Sequence, residues 1–161
     1  MARDKDPILE PDQDFRSAMT ALIGPRWERL WSDLDRLQEG DDADAIHDIR
    51  VASRRLRAAM DVAAPCFPAD WYVPLHRTAR DITSALGGVR DQDVILVELA
   101  AERKRAGKID RPAIDALTAQ VEHERTVARR SMREFLAVLE SSGAREQTRH
   151  RFGGATAEVV R

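Results

Sequence analysis

The fold is decided by the stretch Ile46-His47-Asp48-Ile49-Arg50-Val51-Ala52-Ser53-Arg54-Arg55-Leu56-Arg57. At about 100° per residue in a helix, its apolar side chains gather on one arc, which Met60 extends by a further turn. Its basic side chains fall on a neighbouring arc of roughly 80°, and we call them the basic row: His47, Arg50, Arg54 and Arg57. The pattern predicts a helix that buries one side against a core and holds a row of cations beside it.

The basic row has a charge pattern that favours a bound anion. Three guanidiniums repel one another and any proton on the neighbouring imidazole, and no acidic residue follows on their own face until Asp61. The planar guanidinium donates two parallel hydrogen bonds to phosphate or carboxylate, which suits arginine to such ligands. Two interpretations stand: an anion-binding surface, or a solvated face whose arginines pair with nearby carboxylates.

Composition indicates one helical domain. The chain has 161 residues, of which 43% are hydrophobic, 34% charged and only 5% aromatic, and this mixture suits helices better than a β-rich fold. The net charge of −2 argues against a general nucleic-acid binder, so any anion site must be a local concentration of arginine. The single cysteine, Cys66, cannot form an internal disulfide, and we interpret it as a structural thiol.

Caps and helix breakers divide the chain into helices. The first helix begins at Asp12 or Asp14, is kinked or broken at Gly24-Pro25 and ends at Gly40. The same signals predict the others: residues 44–64 with the basic row, residues 69–87 ended by Gly87-Gly88, a helix capped by Asp91 that runs to Arg105, and a last helix from Arg111-Pro112 to Ser141-Ser142-Gly143.

The connections between these helices are short, so neighbouring helices should run antiparallel. We therefore expect an all-α fold, an up-and-down antiparallel bundle of about four or five helices. It occupies residues 12–141, after a flexible N-terminal segment at residues 1–11 and before a tail at residues 142–161 that we leave unassigned.

A second motif, Leu86-Gly87-x-x-Arg90-Asp91-x-Asp93-Val94, follows the first, His47-x-x-Arg50-Val51-x-x-x-Arg54-Arg55-Leu56-Arg57. With both motifs in this order, the chain resembles the conserved-histidine α-helical domain (CHAD) family over residues 12–140. The resemblance implies an all-helical module that binds inorganic polyphosphate, is not itself an enzyme and needs no cofactor.

The candidate site is a groove between the second and third helices. Its expected polyphosphate ligands are the basic residues of the two motifs and of the third helix beside its core stripe: His47, Arg50, Arg54, Arg55, Arg57, Arg77, Arg80 and Arg90. Asp91 is expected to support the site by holding the guanidinium of Arg90, with Asp93 in the first turn of the next helix, whose amide ends also suit an anion. No metal site is predicted, because no His-x-x-x-His or Glu-x-x-His pair lies on one helix face.

The chain looks like a half-length version of the family. Members usually carry a second helical bundle with its own basic row, and this sequence shows none. We hypothesise a homodimer whose second copy rebuilds the missing half, with interface surface from Trp27, Trp31 and Trp71. The metalloenzyme domain that often accompanies the family is also absent from this sequence, so its hydrolase activity is not carried over.

Three other functions compete with polyphosphate binding. A protein-interaction module would grip an acidic partner segment with the same row. A metal-dependent phosphohydrolase would need a carboxylate cluster, for which Asp91 and Asp93 are the candidates. Nucleic-acid binding is disfavoured because few aromatic residues are available to stack on bases.

The sequence has no signal peptide and no apolar run near the ~18 residues of a membrane-spanning helix. We therefore expect a cytoplasmic protein without a membrane partner. If it binds polyphosphate, polyphosphate granules are a natural place for it to associate.

Overall fold

The computed structural model describes residues 12–39 and 43–153. These residues form five α-helices and a short 3₁₀ turn: α1 (Phe15–Glu39), α2 (Ala43–Ala63), the turn (Ala64–Cys66), α3 (Ala69–Arg105), α4 (Arg111–Ser141) and α5 (Ala144–Phe152). No strand occurs in these ranges, and the helices pack against one another. The predicted all-α bundle is confirmed. The predictions for residues 1–11 and for Gly40 lie outside the described residues.

The core is built from one apolar side of each helix. The apolar arc predicted for α2 is buried in full, because Ile46, Ile49, Leu56 and Met60 all face inward. Trp27 and Trp31 of α1 stack on each other in the same core and are 1% and 3% exposed. The expectation that these two tryptophans supply interface surface is therefore wrong, since their area is already used in the fold.

α1 runs unbroken through Gly24-Pro25. The glycine is needed for packing, since a Cβ at position 24 would lie 2.7 Å from the backbone oxygen of Phe152 in α5. α5 occupies part of the tail that the sequence left unassigned, and Trp31 Nε1 of α1 donates a buried hydrogen bond to Thr148 Oγ1 at 2.9 Å. The short last helix is thus held against the first.

α3 is a single helix of 37 residues that passes through Gly87-Gly88. The prediction of a helix end at Gly87 and a new helix at Asp91 is wrong. A glycine inside a helix costs about 1 kcal/mol relative to alanine, but burial of Leu86 and Val89 on either side favours continuation. Because no helix starts at Asp91, no free amide ends are available there for an anion.

A candidate anion-binding groove between α2 and α3

α2 and α3 lie side by side in antiparallel register. The hydroxyl of Thr83 donates to that of Ser53 at 3.0 Å in the buried interface. One end of the contact is marked by His76 Nε2, which lies 2.7 Å from Asp61 Oδ1. Arg50 reaches position 87 of α3 at the other end. These contacts fix which residues of the two helices are level with each other.

Arg50 reaches from α2 onto α3. A Cβ at Gly87 would lie at ordinary contact distance, 3.8 Å, from both Nε and Nη2 of Arg50, so the guanidinium lies over that glycine. Its Nη1 donates to Asp91 Oδ1 at 3.3 Å, one turn further along α3. The Arg50 side chain is 32% exposed, and its Nε is fully buried with no hydrogen-bond acceptor within the described residues.

The other arginines of the basic row have no carboxylate partner among the described residues. Arg54 is exposed. Arg57 is half-buried, and its Nε is fully buried without a hydrogen-bond acceptor. His47 is exposed at the start of the row. The interpretation of the row as a solvated face of local ion pairs therefore does not describe Arg54 and Arg57 in this part of the chain.

The register brings residues of the second motif to the same groove. It places His47 level with Arg90 and Arg57 level with Arg80. Arg90 follows Thr83 and Gly87 at helical spacing, on the stripe of α3 that contacts α2, and is half-buried. No hydrogen bond or ion pair involves Arg90 in the described ranges, which leaves its charge available for a ligand.

The family model described as CHAD domain matches residues 21–158, nearly the whole chain. The chain belongs to the CHAD family. This family is linked to polyphosphate binding in general. No curated protein and no solved structure matches the chain.

Asp91 and Asp93 of this CHAD domain do not have the partners expected from the sequence. Asp91 was expected to hold Arg90, but its carboxylate accepts from Arg50 instead. Asp93 is 5% exposed and forms an ion pair with Arg125 of α4, so it joins α3 to α4 and does not line the groove. Both partners come from other helices, and spacing along α3 alone gives no sign of them.

Of the other predicted basic ligands, Arg80 is already paired, and Arg55 and Arg77 are exposed as Arg54 is. Arg80 donates from Nε and Nη2 to Asp81 at 3.1 and 3.0 Å, which draws its charge toward the neighbouring carboxylate. Arg55 and Arg77 are exposed and make no hydrogen bond or ion pair with any described residue. The contacts between α2 and α3 thus bring Arg50 into the groove directly, and the register adds His47, Arg57 and Arg90.

Beyond Arg57 the two helices are joined by the His76–Asp61 pair, which sequence reasoning missed. Asp61 follows Arg57 by one helical turn, and His76 reaches it from α3. The signal in the sequence was Asp61 itself, the first acidic residue on the face of the row. The unpaired part of the row therefore ends before Asp61.

The described residues contain neither a cluster of metal-binding side chains nor a membrane-spanning helix. No group of three or more His, Cys, Asp or Glu side chains stands close enough there to hold a metal ion. Across the same ranges, no helix has the length and apolar character needed to span a membrane.

Proposed function

We propose that the groove between α2 and α3 binds inorganic polyphosphate. The observation that carries the proposal is the lack of carboxylate partners for Arg54, Arg57 and Arg90 among the described residues. Many other arginines of the described residues pair with acidic side chains, namely Arg29, Arg36, Arg80, Arg103, Arg105, Arg125, Arg145 and Arg149. The row therefore keeps positive charge that no described carboxylate neutralises, in a protein of net charge −2.

The binding is electrostatic and repetitive. From His47 to Arg57 the row extends about 15 Å along α2, at 1.5 Å per residue. A chain of phosphates offers an anionic group at each step along that length, and each guanidinium can donate two hydrogen bonds to phosphate oxygens. His47 adds a further hydrogen-bond donor. Binding releases counterions, so affinity falls as salt rises.

We propose that the protein binds polyphosphate without turning it over. A phosphohydrolase would need free carboxylates beside the phosphates to hold a metal ion. Of the two candidates, Asp93 is buried in an ion pair with Arg125, and Asp91 is then a single carboxylate beside the row. One carboxylate by itself is too few protein ligands for a dedicated metal site.

The test compares two double variants in a titration with long-chain polyphosphate. Arg54→Gln with Arg57→Gln removes the unpaired charges of the row and should abolish most of the affinity. Arg103→Gln with Arg105→Gln removes the same charge from the exposed end of α3 and should leave binding close to that of the unaltered protein. Equal binding by both variants would overturn the proposal. If an acidic peptide competes and binds more tightly than polyphosphate, the groove is a protein-interaction site.

The homodimer remains a prediction, and so does association with polyphosphate granules. Since Trp27 and Trp31 are buried, a dimer would have to use other surface. Light scattering at micromolar concentration tests it, and a monomer there would count against a second copy in the binding site.

A further inference from the structure

Asp91 is the carboxylate that contacts the basic row from α3. Its Oδ1 lies 3.3 Å from Nη1 of Arg50, and its side chain is 66% exposed. Charge-assisted hydrogen bonds of this kind are usually about 2.7–2.9 Å long, so the contact is a loose one. Arg54 and Arg57 have no such partner in the described ranges, which makes the Arg50 end of the groove different from the rest.

We infer that Asp91 is an internal competitor for Arg50, which a bound phosphate must displace. The inference rests on the proposed function. An exposed ion pair changes an equilibrium constant by only about two- to fivefold, so a phosphate chain can exchange with Asp91 readily. Asp91 therefore sets how strongly the Arg50 end of the groove binds, without blocking it.

The competition with Asp91 matters most when Arg50 would have to hold a phosphate alone. A chain already held by Arg54 and Arg57 presents its next phosphate to Arg50 at a high effective concentration, and this offsets the displacement of Asp91. Asp91 therefore tunes the affinity of Arg50 for the chain, although it carries the same sign of charge as the ligand.

The experiment measures binding of long-chain polyphosphate to Asp91→Asn by calorimetry. The substitution keeps the shape of the side chain and removes its charge, so affinity should rise about two- to fivefold. Asp115→Asn is the matched control. It also removes an exposed carboxylate that is paired with an arginine, since Asp115 of α4 pairs with Arg103 near the C-terminal end of α3. Affinity in this control should stay within the error of the unaltered protein, since distant exposed charges are screened.

A second comparison assigns the gain to Arg50. In an Arg50→Gln background, Asp91→Asn should give no gain, because no guanidinium is left to release. A gain that persists there, or weaker binding by Asp91→Asn alone, would overturn the inference and leave the proposed function intact. Failure of the unaltered protein to bind polyphosphate would overturn the proposed function itself, and the inference with it.

Discussion

The guanidinium of Arg50 lies over Gly87 of α3, where a Cβ would be 3.8 Å from its Nε and Nη2. This glycine lies in the middle of a long helix, where it would ordinarily be unfavourable. A Cβ there would be at ordinary contact distance, so alanine fits beside the guanidinium and a larger side chain would meet it. The Leu-Gly pair of the second motif therefore keeps the side chain opposite Arg50 small and does not end a helix.

Two substitutions at Gly87 should distinguish the effect of side-chain volume beside Arg50 from the effect of helix propensity. Gly87→Ala adds a methyl group at ordinary contact distance from Arg50, so it should raise the free energy of unfolding by up to about 1 kcal/mol with little change in polyphosphate affinity. Gly87→Leu should push the Arg50 side chain away and weaken binding. Chemical unfolding and calorimetry check both. Gly88→Ala is the control for helix propensity alone, because its Cβ would be 3.8 Å from that of Ala128 and away from Arg50. Weaker polyphosphate binding by Gly87→Ala would contradict this account.

Gly24→Ala should lower the free energy of unfolding, whereas Gly87→Ala should raise it. Its Cβ would lie 2.7 Å from the backbone oxygen of Phe152, and a backbone atom cannot move aside as a side-chain tip can. We expect a loss of about 1–3 kcal/mol in the free energy of unfolding, the usual effect of overpacking. Urea unfolding checks the value. Deleting residues 144–161 removes the obstacle, so in that background alanine at position 24 should no longer destabilise the protein and should be favoured by up to about 1 kcal/mol through helix propensity.

The contrast between these glycines shows what could be predicted from the sequence. The helix of the basic row was predicted correctly because its 3.6-residue period is a local property. The fate of Gly87 and the partner of Asp91 depend on a register between α2 and α3, and Asp91 lies 41 residues from Arg50. The ion pair of Asp93 with Arg125 depends in the same way on α4. α5 escaped prediction because most of its residues are polar and Thr148, one of its few buried side chains, is not apolar.

Tyr72 should make the protein less stable in alkali. Burial, with a smaller contribution from Asp61, raises the pKa of its phenol far above the ordinary 10. The folded state therefore keeps the proton that the unfolded state loses. The contribution of Tyr72 to the free energy of unfolding is constant below about pH 10 and falls as the pH rises above it. Because Tyr72 is the only tyrosine, tyrosinate absorbance reports it directly. It should appear only as the protein unfolds.

The control for this prediction is Tyr72→Phe. It loses the hydrogen bond that the hydroxyl donates to the backbone oxygen of Met60 at 2.8 Å, at a cost of about 1 kcal/mol. In return its stability should depend less on pH above 10 than that of the unaltered protein. Identical alkaline profiles for the two proteins would contradict the assignment, as would tyrosinate absorbance in the folded protein at pH 10.

The salt dependence of polyphosphate binding should report how many arginines contact phosphate. For single-stranded polyanions the slope of log K against log salt changes by about 0.7 for each phosphate neutralised. Arg54→Gln should thus lower both the affinity and the magnitude of this slope by one contact. Arg57→Gln should do the same, because Arg57 also lacks a carboxylate partner in the described ranges.

Arg80→Gln separates the role of the row from that of charge in general. Arg80 is level with Arg57, but its guanidinium is already paired with Asp81. If that pair persists in the complex, Arg80→Gln should leave the salt slope unchanged and alter affinity less than Arg54→Gln does. A slope that falls equally in Arg80→Gln and Arg54→Gln would mean that a phosphate displaces Asp81 as well. A slope unchanged in Arg54→Gln would remove the basic row from the binding site, because an exposed cation that contacts a phosphate must release counterions when it does so.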